Sequence, residues 1–161
     1  MKILIHASLD HKQAMLDAKK FIELSSNHSV ILPELTRYQH IRDELGDEKA
    51  FTRIKNRLTQ ENFSNVENCD ILLILNPTHR GITNYIGGNA FMEMVVAFYL
   101  KKPIYLLNDI PEGMTITEEI KSLYPITVHS MANFLKELKQ EGGKRGGGRE
   151  AREYAQKPPR F

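Results

Sequence analysis

Cysteine is nearly missing from this chain: Cys69 is the only one in 161 residues. A lone thiol cannot form an internal bridge, which excludes the small secreted folds that depend on disulfide staples. Long hydrophobic runs are missing too. No apolar stretch approaches the roughly 20 residues that a membrane-spanning helix needs. The opening segment Met1 to His6 (MKILIH) turns polar too soon for a secretory leader. Six histidines lie scattered without ligand spacing, so no metal site is expected. There is no Gly-Lys-Ser/Thr phosphate loop. The loop Ala7 to Asp10 (ASLD) has no glycine, which excludes the dinucleotide fingerprint. The expectation is a cytoplasmic protein with neither metal nor organic cofactor.

A strong surplus of one charge is also lacking. The formal net charge is +2, and the segment from Glu141 onward carries six Lys/Arg against three Asp/Glu. Residues 1–140 then hold 16 basic and 17 acidic side chains, close to neutrality. A domain built to grip nucleic acid would carry its basic residues on the folded surface, so nucleic acid is not the expected partner. The tail 141–161, with five glycines and two prolines, has too few large apolar residues to offset the entropy of ordering. It is expected to be a disordered basic Gly/Arg-rich extension, able at most to contact RNA or an acidic partner. What remains, 1–140, suits one domain large enough to bury its own core.

Short apolar runs and helical stripes alternate along that domain. Lys2–Ala7, Val30–Leu32, Ile71–Leu75, Pro103–Leu107 and Ile126–Val128 read as strands. Helices are expected over about 10–25 with Asp10 as N-cap, 47–66, 90–100, 117–123, and from a Ser130 cap to about Leu138. Residues 34–46 lack a clean period and read as a loop or a short broken helix. The unbroken apolarity of Ile71–Leu75 marks a central strand covered on both faces. Alternating strands and helices predict βαβ units. The fold class expected is α/β: a single-domain, doubly wound, five-stranded parallel sheet of flavodoxin-like (Rossmann-like) order 2-1-3-4-5, with helices on both faces.

In such a sheet ligands sit beyond the carboxyl ends of the strands, where the strand order reverses. The loop 76–89 reaches that edge with three glycines and leads straight into a helix. Gly87-Gly88 admits close backbone approach and positive φ, and the N–H groups that follow can bind an anion or hydroxyl. A plain sharp turn explains the glycine pair equally well. Glu93 is the sharper residue. It stands in an otherwise apolar helical run, Ala90 to Phe98, where a carboxylate is costly to bury unless paired, and it should sit at the mouth of the site. Capping or facing water are the plain readings of it. His6 reads sooner as a core imidazole, and Asp70 as structural. His79, Arg80 and Tyr85 read either as ligand-closing or as solvated loop residues.

Three segments carry a resemblance: Asn68–Asn76 (NCDILLILN), Gly87–Met94 (GGNAFMEM) and Lys102–Leu107 (KPIYLL). With the opening strand, they make residues 1–135 similar to the nucleoside 2-deoxyribosyltransferase-like superfamily. The similarity is greatest to a branch with an Asn-Tyr-Ile-Gly-Gly-Asn loop, here Asn84 to Asn89. The resemblance implies a nucleoside or nucleotide site at the strand ends, often shared across a homodimer. It implies Glu93 as the nucleophile that attacks C1′ of the (deoxy)ribose, with water or a second base resolving the glycosyl-enzyme. Ser8, Asn76, Gly87, Gly88, Asn89 and Asn108 become the expected substrate contacts. The sequence also departs from the pattern. The transferases carry an aspartate at the position of Asn76 and another acidic residue where this chain has Gly87 and Gly88. An amide cannot serve as a general acid. Two functions follow as expectations: an N-glycosidase or deoxyribosyltransferase-like enzyme, or a nucleotide-binding or sensing module that kept the fold without turnover.

Overall fold

A computed structural model describes residues 1–35 and 48–143. Five strands, β1 (Lys2–His6), β2 (Ser29–Ile31), β3 (Ile71–Ile74), β4 (Ile104–Leu106) and β5 (Ile126–Thr127), form one sheet of order β2-β1-β3-β4-β5. All pairings are parallel, with Ile3 opposite Ile71, Leu72 opposite Ile104 and Tyr105 opposite Ile126. The helices are α1 (Lys12–Ser25), α2 (Glu48–Asn68), α3 (Gly88–Tyr99), α4 (Thr117–Ser122) and α5 (Met131–Gly143). The chain is therefore a doubly wound α/β fold of the expected order. None of the described helices is long and apolar enough to cross a membrane.

Strand alternation sorts the apolar side chains into two cores. Ile3, Ile5, Ile71, Leu73 and Tyr105 point to one face, where α1 (Met15, Ile22) and α5 (Phe134, Leu138) cover them. Leu4, Leu72, Ile74, Ile104 and Leu106 point to the other, under α2 (Val66), α3 (Met94, Ala97) and α4 (Ile120). The uninterrupted apolarity of β3 follows, since all four of its residues are buried. Each fully buried Leu or Ile contributes about 1.5–3 kcal/mol. Tyr105 and Phe134 meet edge to face at 5.2 Å, locking α5 onto the sheet. Asp70 is structural, as expected: its carboxylate accepts the Lys2 N–H at 2.7 Å and joins β3 to β1 at the end remote from the cleft. The edge strand β2 is covered by α1, whose Lys19 donates to the Val30 carbonyl while Glu23 accepts the Val30 N–H.

Several boundaries differ from expectation. Asp10 does not cap α1; the chain first winds through a 3-10 turn, Leu9–His11, and His11 occupies the N-cap without a side-chain bond. Ser130 does cap α5, accepting the Asn133 N–H at 3.1 Å, but that helix runs to Gly143 and so enters the segment expected to be tail. The rest of that segment, 144–161, and most of the loop expected over 34–46 lie outside the described residues.

Candidate functional site

From β1 the chain moves outward to β2, and from β3 it moves the other way to β4. The loops leaving β1 and β3 therefore diverge, and a crevice is left between them. A cavity of about 310 Å³ opens there. That is at the small end of the range of ligand pockets, about 300–1,000 Å³. Its floor is the end of β1, His6 to Ser8. Gly87, Asn89 and Ala90 at the start of α3 make one wall. Lys55, Thr59 and Asn62, one stripe of α2, make the opposite wall. Helix α3 begins at Gly88, earlier than expected, with Gly87 as an N-cap that brings no side chain to its first N–H groups.

Glu93 lies three and four residues past Ala90 and Asn89, hence on the same face of α3 but one turn deeper. It is 1% exposed, so it stands beneath the floor rather than at the mouth as the sequence suggested. The side chain against it is His6, which the strand alternation of β1 turns to the same face of the sheet as Leu4. The His6 Nδ1 is 2.7 Å from Glu93 Oε1, an ion-pair distance. Neither that nitrogen nor either carboxylate oxygen has an aligned hydrogen-bond partner among the described residues. Unaligned carboxylates at this depth are rare because desolvation costs several kcal/mol unless bonds replace the lost water, on the order of 2–7 kcal/mol even for a neutral polar group. His6 is itself 7% exposed and forms part of the floor.

The two loops that border the cavity are joined by aromatic contacts. The ring of His79 meets His11 edge-on at 5.5 Å and Tyr85 at 5.0 Å. Its Nε2 is 3.5 Å from the Asp10 carboxylate. Arg80, at the cavity's rim, adopts φ 49° in a tight turn closed by reciprocal His79–Ile82 backbone bonds. The glycine pair behaves unlike the expectation. Gly87 has φ −73°, and neither Gly87 nor Gly88 is left-handed. A Cβ on Gly88 would meet nothing, and one on Gly87 would only touch the Tyr85 ring at 3.5 Å. The described fold thus places no steric demand for glycine at either position.

Asn76 and Asn108 serve each other rather than the cavity. The Asn76 amide is fully buried, and its Nδ2 donates toward the carbonyls of Asn84, Asn108 and Asp109 at 3.4, 3.2 and 3.0 Å. Its Oδ1 accepts the Asn108 N–H at 2.9 Å, and Asn108 Nδ2 donates back to the Asn76 carbonyl at 3.1 Å. The pair clamps the chain leaving β3 to the chain leaving β4. It also gives a physical reason for an amide at this position: a carboxylate oxygen in place of Nδ2 would face three carbonyl oxygens.

No model of a known protein family matches the chain, and no curated protein matches it. The site is therefore read from its own chemistry. Cys69 is no nucleophile for it: burial pushes its thiol up, and its Sγ is spent on the Val66 carbonyl at 3.3 Å. Among the described residues no group of three His, Cys, Asp or Glu is placed to hold a metal ion.

Of the residues expected at the site, the structure brings together Ser8, Gly87 and Asn89 around the cavity, with Glu93 beneath. Gly88 faces outward, and Asn76 and Asn108 stand behind the wall. The Ser8 hydroxyl makes no capping bond to the turn that follows it. His6 is buried, as its core reading expected, but its pairing with Glu93 was not legible, because a lone histidine in an apolar strand gives no sign of its partner. Sequence reasoning missed the α2 wall entirely. The spacing of Lys55, Thr59 and Asn62 was visible, but a polar helical stripe has the same pattern whether it faces solvent or a cleft.

Proposed function

We propose that this protein processes the N-glycosidic bond of a nucleoside or nucleotide, as an N-glycosidase or deoxyribosyltransferase-like enzyme with Glu93 as nucleophile at C1′. The observation that carries the reading is the Glu93 carboxylate: buried one turn below the cavity wall, against His6, and without aligned hydrogen bonds. A carboxylate held this way is poorly solvated, and it gains most when positive charge develops next to it. The oxocarbenium-like centre at C1′ is such a charge. Glu93 would stabilise and then trap it as a glycosyl ester. The cavity's position at the strand-order reversal and the resemblance in sequence support the same reading. Ser8, Asn89 and Gly87 line the cavity and would hold the sugar. The homodimer expected with this class would use the exposed apolar face of α3, where Val95, Phe98 and Tyr99 lie.

A second reading, a nucleotide-binding or sensing module, is favoured by one observation. Glu93 is beneath the cavity floor, so a ligand can fill the cavity without touching it. The two readings separate in one experiment. A panel of nucleosides and nucleoside 5′-monophosphates is incubated with the purified protein and with Glu93→Gln, and free base is measured by chromatography. Release by the wild type and none by Glu93→Gln is expected. Glu93→Gln keeps the size and shape of the side chain, and a cooperative thermal melt of the variant checks that its fold is intact. Absence of release, with a panel member that still raises the wild-type melting temperature, would replace the enzyme by the binding module.

A further inference from the structure

Cleavage of an N-glycosidic bond leaves an electron pair on the base, and most bases leave only when protonated. We propose that His6 is the general acid that supplies that proton, and that His6 and Glu93 act as one acid–nucleophile pair. The inference rests on the reading of Glu93 as nucleophile.

An imidazole carries its two nitrogens on opposite sides of the ring. The Nδ1 of His6 is turned inward, 2.7 Å from Glu93 Oε1, while the residue forms part of the cavity floor. Its Nε2 is thereby directed away from Glu93, and the leaving base would stand on that side. The other charged groups around the cavity are Asp10, Glu34, Lys55, His79 and Arg80. Lysine and arginine hold their protons too tightly to give them up near neutral pH. Asp10 and His79 are committed to each other at 3.5 Å, in the loop contact. His6 is the cavity residue whose nitrogen lies at ion-pair distance from Glu93, 2.7 Å. Histidine is also the side chain that most often serves as a positioned proton donor or acceptor in such steps.

The electrons balance without a further reagent. His6 begins protonated on both nitrogens, paired with the Glu93 carboxylate. The C1′–N bond breaks, its electron pair goes to the base, and the base takes the Nε2 proton. Oε1 stays with Nδ1, so Oε2 is the oxygen that forms the ester to C1′. In the second half a water attacks C1′, the ester electron pair returns to Glu93, and the neutral His6 Nε2 takes the proton from that water. This restores the imidazolium. Acid and nucleophile lie one imidazole width apart, an arrangement akin to the close carboxyl pair of retaining glycosidases.

The test varies the leaving group. A purine methylated at N7 departs as a neutral base and needs no proton, whereas unmodified guanine does. Guanosine, 2′-deoxyguanosine and their 7-methyl derivatives, each with and without a 5′-phosphate, are compared for wild type, His6→Asn and Glu93→Gln, after subtraction of spontaneous release. His6→Asn keeps a donor near Glu93 but has no Nε2. It is expected to lose at least about 100-fold in release of unmodified base, and no more than a few-fold with the methylated substrate. Glu93→Gln should lose both. Equal losses for the two substrates in His6→Asn, or no loss in either, would overturn the acid role while leaving Glu93 as nucleophile. Release of only methylated base by the wild type would do the same. Release of neither by the wild type removes the N-glycosidase reading and this inference with it. If His6→Asn melts early, the wild-type pH profiles decide. Release of unmodified base should fall as pH rises through the imidazole range and release of methylated base should not, and coincident profiles overturn the proposal.

Discussion

Asn76 shows what a single buried amide does here. Its Nδ2 faces three backbone carbonyls and its Oδ1 accepts one N–H. Asn76→Asp keeps the shape and reverses the polarity of one end. We expect it to cost about 2–3 kcal/mol in urea unfolding near pH 7, from lost bonds and a misplaced acceptor. The sign of its pH dependence is specific. A carboxylate facing carbonyls is driven toward its protonated form, so the folded state holds its proton more tightly than the unfolded one. The loss should shrink as pH falls from neutrality toward the unfolded carboxyl value of about 4, and stay constant below it. A cost that stays constant with pH would mean that the carbonyls do not face the side chain. His6 and Glu93 are the opposite case: depth without aligned bonds, at and beneath the floor of a cavity.

At the scale of elements, the start of α3 gathers the groups of the candidate site. Gly87 caps it, Asn89 and Ala90 line the cavity, and Glu93 follows a turn below. Because the described fold has no steric need for glycine at 87 or 88, alanine should be tolerated in both places. At Gly88, inside the first turn, it should even add a few tenths to about 1 kcal/mol by restricting the unfolded chain. Function should separate them. Gly87→Ala projects a methyl group at the cavity wall and is expected to weaken base release and the ligand-induced melting shift by about tenfold or more, a cost of ~1.4 kcal/mol. Gly88→Ala, facing outward, should leave both unchanged. Thermal melts with and without ligand check the pair, and identical behaviour of the two variants would remove Gly87 from the site.

On the scale of the whole molecule, the sheet and its two cores set stability, and one titrating group reports on the sheet edge. His28 precedes β2, and its Nδ1 is 3.5 Å from the amino terminus. Burial, and then the charge of that terminus, hold its imidazole below the ordinary 6.5. The folded state thus binds fewer protons than the unfolded one in this range. The contribution is present above pH 6.5 and lost as pH falls from there toward the lowered folded value. His28→Gln is expected to flatten the decline of the urea midpoint between about pH 7.5 and 5 relative to wild type. An unchanged slope would show that His28 titrates alike in both states.

The order of the elements and the class of the fold were legible in the amino-acid sequence. Runs such as Ile71–Leu75, short and apolar throughout, belong in a covered parallel strand, and the helical stripes between them force crossovers to both faces of the sheet. The sequence also marked the edge of the sheet where a ligand would sit, because the glycine-rich loop and the odd carboxylate of Glu93 are local signals. Pairings between distant segments were beyond it. His6 and Glu93 are 87 positions apart in the chain. Nothing local says that one strand end and the first turns of one helix will meet across the strand-order reversal. The clamp between Asn76 and Asn108 was hidden for the same reason, since both residues read equally well as ligand contacts until the paths of β3 and β4 are known. Periodicity is a property of neighbouring residues and survives in the sequence. Partnership between side chains is created by the winding of the sheet and exists only in the folded chain.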